Sequence, residues 1–166
     1  MKTTDYLAIY AAVLSTLVFL WNVLQSRPRI AVDLVFGNEG TGNDIRSGVY
    51  VFVRNLSSHD VHLASISILY PYKAAGLKAR IAHAWKYKRV PRRLGWVHSS
   101  LSKYSVESGC PVCVEARKSH QVFIPNPSVE KMLTDAVNRR LIARVQDQLW
   151  NNFYSRAFWC SAPQNA

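Results

Sequence analysis

At 166 residues, 49% apolar and 19% charged, the chain has the size of one ordinary domain, and the disordered, collagen-like and low-complexity classes are excluded. Lys and Arg total 21 against 10 Asp and Glu, a net charge of +11, which favours anionic partners. Three Cys are too few for a disulfide scaffold, and an odd number cannot all pair within one chain.

From Tyr6 to Leu24 the chain runs without a charge, YLAIYAAVLSTLVFLWNVL. At the helical rise this run spans about 28 Å, close to the hydrocarbon thickness of a bilayer. Tyr6 and Tyr10 stand towards one interface and Trp21 towards the other, where amphipathic rings are favoured. Arg27 and Arg29 follow, and Pro28 stops the helix. The apolar run exceeds a usual signal-peptide core. The residues after it, Gln25-Ser26-Arg27-Pro28, hold no small-x-small cleavage site. The sequence therefore predicts an uncleaved single-pass anchor over residues 1–28. Arg27 and Arg29 outweigh Lys2 with Asp5 beside it, so the positive-inside rule puts the rest of the chain in the cytoplasm, at a plasma or inner membrane. Ala8, Ala12 and Thr16 repeat every four residues, as do Ala11 and Ser15. Small residues at that spacing let two membrane helices approach, so self-association is an expected partner mode.

Residues 29–166 read mainly as strands. Ile30, Val32, Leu34 and Phe36 alternate over 30–36, and residues 37–47, rich in Gly, Asn and Asp, read as a loop. Residues 48–54 (GVYVFVR) and 61–69 (VHLASISIL) are β-branched and aromatic, with the turn Asn55-Leu56-Ser57-Ser58-His59-Asp60 between them. Further strands are predicted at 111–116, 119–124, 140–146 and 151–158. A short helix over 128–137 takes Ser128 as N-cap and buries Val129, Leu133 and Ala136, with Met132 beside them. Asp147 is expected to shape the turn before Trp150 and Asn151. Strands separated by turns imply an antiparallel sandwich.

The stretch VYVFVRNLSSHDVHLASISIL resembles one corner of immunoglobulin-like domains, and ARVQDQLWNNFYS resembles their late hairpin, although the Cys…Trp…Cys pattern is absent. An anchor leading straight into such a sandwich resembles small bacterial membrane proteins. The resemblance implies an immunoglobulin-like β-sandwich on a transmembrane helix.

A basic, aromatic insertion is predicted over 71–103. Between Asp60 and Glu107 there is no acidic residue, whereas Lys73, Lys78, Arg80, Lys86, Lys88, Arg89, Arg92, Arg93 and Lys103 are interleaved with Tyr70, Tyr72, Trp85, Tyr87 and Trp96. Residues 74–89 fit a helix with Leu77, Ile81, Ala84 and Trp85 on one stripe, ended by Val90-Pro91. Such a face suits anionic lipid or an acidic protein. It suits nucleic acid less well, where cations would neutralise phosphates and rings would stack on bases. The plainest alternative is a solvated insertion whose rings pack on the sandwich.

Chemistry is sparse. Cys110-Pro111-Val112-Cys113 is a C-x-x-C, but it leads into a strand-like run rather than the helix that activates a redox thiol. As a zinc site it would need His98, His120 or Cys160 in addition. These thiols are expected to be structural, with Cys110 and Cys113 as the candidate redox pair. Ser57-Ser58-His59-Asp60 carries the letters of a hydrolase triad, but adjacent residues cannot assemble that geometry. Within Trp96-Val97-His98-Ser99-Ser100, His98 is expected to be a loop hydrogen-bond partner. Phosphate-loop, dinucleotide, zincin and nucleophile-elbow patterns are absent. The expectation is a non-enzymatic membrane-tethered module, with no cofactor and no small-molecule substrate.

Overall fold

In the computed structural model, which describes residues 3–40, 44–74, 76–88 and 93–160, the apolar run forms α1 (Thr3–Gln25). α1 is long and apolar enough to cross a membrane, and none of its residues is buried. Thr16 donates its hydroxyl to Ala12 O at 2.8 Å, so the polar group in the small-residue stripe is satisfied within the helix.

The remainder is mainly β, in two antiparallel sheets. The first joins β1 (Ile30–Glu39), β2 (Arg46–Asn55) and β6 (Ser119–Pro125) in the order β1-β2-β6. The second has β3 (Val61–Pro71) and β7 (Arg140–Asp147) at its centre. β4 (Trp96–Ser100) and β5 (Val112–Val114) share the outer edge of β3, and β8 (Asn152–Tyr154) and β9 (Phe158–Trp159) share that of β7. Alternation turns Val49, Val51 and Val53 of β2 inward to meet Leu63, Ile66 and Ile68 of β3 and Leu141, Ala143 and Val145 of β7 in one core. The helix α3 (Asn126–Leu133) closes one side of it with Val129, Met132 and Leu133.

The structure departs from the sequence expectations at five places. The loop expected over 37–47 is shorter, because β1 continues to Glu39 and β2 starts at Arg46. Gly37 within it, and Gly48 at the start of the strand expected next, serve close approach. A Cβ on Gly48 would stand 2.3 Å from Ile124 O, and one on Gly37 would stand 3.0 Å from the Tyr50 ring. Phe36, opposite Val49 on the edge strand β1, is exposed rather than buried.

The insertion is shorter than 71–103. Trp96–Ser100 is strand rather than loop, paired with β3, and Leu101 of the following 3₁₀ turn (Leu101–Tyr104) is fully buried. α3 starts before Pro127, with Pro125 as its N-cap, since proline is tolerated in a first turn. Ser128 is therefore inside the helix, and its hydroxyl donates to Tyr104 O at 3.2 Å. Ala136 reaches the core from beyond the helix end. The strand expected over 151–158 is broken into β8 and β9. At the break, Ser155 Oγ accepts the Ala143 N–H at 2.9 Å and donates to Arg156 O at 2.8 Å.

The turn expectations hold. Asp147 Oδ1 accepts the Asn151 N–H at 2.8 Å. In the Ser57–Asp60 turn, Ser57 Oγ accepts from Arg29 N–H and Asp60 Oδ1 from Ala116 N–H, so these side chains serve the backbone and form no triad.

Candidate functional site

The insertion leaves the second sheet where β3 ends and returns where β4 begins. Tyr72 and Lys73 both donate their N–H to Gly95 O, at 2.9 and 3.1 Å. Its helix is α2 (Leu77–Tyr87). Ala79, Ala82 and Ala84 with Leu, Lys and Arg give the sequence LKARIAHAWKY strong helix propensity. Lys88 ends it in the left-handed conformation, at φ 50.

The large members of the expected stripe point away from the body. Leu77, Ile81 and Trp85 are exposed, Leu77 at 74% and Trp85 at 88%. The half-buried residues are His83 and Ala84, so the helix rests on its narrower, less apolar side. His83 stands 4.5 Å from the Tyr87 ring, and its buried Nδ1 finds no partner among the described residues. The plain reading in which the rings pack on the sandwich holds for only part of the set, Trp96 of β4 being half-buried. For Trp85, Tyr87 and Tyr72 it does not, whereas Tyr70 of β3 is buried. The helix rests on His83 and Ala84 rather than on Trp85, which leaves that indole free for another surface.

Lys78, Arg80, Lys86 and Lys88 are exposed around this stripe, and Lys73 at its root is exposed too. Lys86 Nζ lies 5.4 Å from the Tyr87 ring centre. Arg93 is half-buried, its guanidinium 3.5 Å from the Tyr154 ring centre, so it braces the returning chain against β8. Arg89 and Arg92, with Val90 and Pro91, lie outside the described residues.

α2 is rooted far from the anchor. The chain leaving α1 is tied to the β2–β3 turn, where Leu56 N–H donates to Arg29 O at 2.8 Å and Arg29 N–H to Ser57 Oγ at 2.7 Å. From that turn β3 runs 11 residues to the root of the insertion, about 33 Å of extended chain.

The thiols are scattered. Cys110 and Cys160 are half-buried and pack on the core, whereas Cys113 is exposed. Burial pushes the Cys110 thiol up, against a smaller opposing effect of its hydrogen bond with Ser108. That is the reverse of an activated redox nucleophile. Burial pushes Cys160 up to about 11. No three His, Cys, Asp or Glu residues gather as a metal site among the described residues. His98 lies on β4, while His120 lies on β6 in the other sheet and contacts Ser108 O at 3.1 Å.

The anchor end carries groups whose exposure the sequence reading missed. Leu56 in the β2–β3 turn and Leu149 and Trp150 in the β7–β8 turn are all exposed. An apolar pair at the centre of a predicted hairpin turn, where polar residues belong, was the available signal.

No family model matches the chain, and no curated protein does. Among solved structures, the X-ray structure of Northeast Structural Genomics Consortium target SoR45 is similar at 10% identity. The match covers 86% of this chain and 92% of that one, with a TM-score of 0.36, and a score so low carries no argument about fold or function.

Proposed function

We propose that the protein is a membrane-tethered, non-enzymatic interaction module. In this reading α1 is a single transmembrane anchor, the β domain is an immunoglobulin-like sandwich in the cytoplasm, and α2 receives an acidic protein partner. The immunoglobulin-like assignment is supported by strand order: β1-β2-β6 and β4-β3-β7-β8 correspond to A-B-E and C′-C-F-G of that fold. The anchor is supported by α1's length, apolar composition and complete exposure.

The observation that carries the partner assignment is the outward stripe Leu77–Ile81–Trp85, flanked by Lys78 and Lys86 and rooted at the end remote from α1. An aromatic and cationic helix face offers an apolar anchor ringed by charge, the composition of interface hot spots. Rooting it about 33 Å from the anchor junction favours a partner in front of the domain over lipid beneath it. Tethering raises the effective concentration of that partner site at the membrane, so a weak contact suffices.

The test uses the full chain in nanodiscs of neutral lipid. Fluorescent polyglutamate should bind with marked salt dependence, and Lys78→Glu with Lys86→Glu should abolish the binding. Polyglutamate binding that ignores salt and both reversals would overturn the proposal. Preference for a single-stranded polynucleotide over polyglutamate would replace the acidic protein with nucleic acid.

A further inference from the structure

The end of the domain beside α1 has an unexplained surface of its own. One cavity of about 370 Å³ is lined jointly by Ser26 and Pro28 of the link, His59 of the β2–β3 turn, and Gln148 and Leu149 of the β7–β8 turn. The β7–β8 tip therefore sits beside the point where the chain leaves α1. It is also held firmly. Trp150 N–H donates to Asp147 O at 3.1 Å, Gln148 N–H to His62 O at 3.0 Å, and Asn151 Nδ2 to Asp147 Oδ2 at 2.8 Å.

This rigid turn presents the wrong residues for water. Leu149 is 77% and Trp150 79% exposed. Trp150 also sits at φ 65, the left-handed position of a three-residue hairpin loop that glycine or asparagine would occupy without crowding. Nothing in the folding of the domain calls for an exposed indole in a strained conformation. Leu56 is exposed in the neighbouring turn. Arg27, Arg29, Arg117 and Lys118 are exposed at the same end, Lys118 paired with Glu115 at 2.7 Å.

We propose that this end is a membrane foot: Leu149 and Trp150, with Leu56 of the neighbouring turn, enter the headgroup region of the bilayer that α1 crosses. The proposal rests on reading α1 as a membrane anchor. The occupant follows from chain continuity, because a tip sharing a cavity with Ser26 and Pro28 cannot stand far from where the chain leaves the bilayer. The chemistry agrees, since indole is favoured at headgroup depth and flanking arginines are drawn to anionic lipid. A foot of this kind fixes the tilt of the domain and thereby the direction in which α2 points.

Depth-dependent quenching tests it with the full chain. The protein is reconstituted in vesicles of phosphatidylcholine and phosphatidylglycerol, with and without bromine at shallow acyl positions. Difference emission against Trp21→Phe, Trp150→Phe and Trp85→Phe isolates each indole. Trp21 and Trp150 should each lose about half of their emission, as rings at the interface would, while Trp85 is unaffected. Quenching of Trp21 without Trp150 would overturn the foot and leave the anchor standing. An unquenched Trp21 would overturn the anchor reading and the foot with it.

Discussion

The two ends of the β domain solve opposite problems. At the anchor end the turns are tied down: Asn55, Ser57 and Asp60 bond backbone of a neighbouring segment, and Asp147 bonds the backbone of its own turn. At the other end the insertion leaves on two backbone bonds to one carbonyl, and α2 buries none of its residues. Polar side chains that satisfy buried backbone make a surface stiff, whereas a helix that buries no residue is held only loosely by the body that carries it. A stiff end suits a fixed support such as a bilayer, and a loosely held helix suits a partner that must be met.

The sharpest way to break this contrast is at Asn55, which is 2% exposed. Its Nδ2 donates to His59 O at 2.8 Å and Val114 O at 2.9 Å, and its Oδ1 accepts the Ser57 N–H at 2.9 Å. Asn55→Ala strands these groups in the interior and should destabilise the full chain by about 2–4 kcal/mol. Thermal unfolding in detergent measures the loss. A change of a few tenths would mean that the anchor end is not held by this amide.

The end remote from α1 has one stiff corner, and it is titratable. Arg139 forms an ion pair with Glu130 of α3 and donates Nε to Cys160 O at 3.1 Å, while the Cys160 N–H returns to Arg139 O at 2.9 Å. Burial there pushes the Cys160 thiol from 9.0 to about 11. A raised folded-state value means that the folded chain keeps its proton while the unfolded chain loses it. Stability is then fully present below pH 9 and is lost as pH rises to 11, by about 1 kcal/mol once solvent screening of the half-buried thiol is included. Cys160→Ala should flatten this alkaline loss relative to the unaltered chain in denaturant titrations at pH 8 and 10.5. An unchanged slope would show that the thiol does not contribute.

What the sequence disclosed follows the same division. Strong local signals were readable: the uncharged run of α1, the β-branched GVYVFVR of β2, and Asp147 placed to bond its own turn. Features set by tertiary contact were not. Gly37 looks like a loop residue until the Tyr50 ring is seen lying against it, and nothing in GVYVFVR discloses that Phe123 and Ile124 O crowd Gly48. The run WVHSS reads as polar loop because it is an edge strand, and its buried Ser99 is accounted for only by a bond to the Tyr104 hydroxyl at 3.2 Å. For the candidate site, composition identified the basic helix correctly. Periodicity could not say that the Leu77–Ile81–Trp85 stripe faces outward, since an apolar stripe looks the same whether it meets a core or a partner.

Trp150 distinguishes folding from function at the anchor end. Trp150→Gly relieves the left-handed strain at φ 65 and removes an exposed indole. Glycine's extra freedom in the unfolded chain offsets part of the gain, so the net expectation is a stabilisation of up to about 1 kcal/mol. The same variant should lose the shallow-lipid contact. A drop in melting temperature in detergent would mean that the indole packs on the domain after all.

The smallest expected effect on stability comes from the end remote from α1, and its smallness is informative. Leu77→Ala, Ile81→Ala and Trp85→Ala remove three large apolar side chains that the domain does not bury. Alanine is the best helix former, so the substitutions leave α2 helical, and the combined change in unfolding free energy should stay within about 0.5 kcal/mol. Polyglutamate binding by the same triple variant should fall severalfold, because the apolar centre of the contact is gone while the lysines remain. Binding that survived would leave charge alone as the recognition element. A stability loss of several kcal/mol would instead return the stripe to the core, and α2 would then share the rigidity of the opposite end.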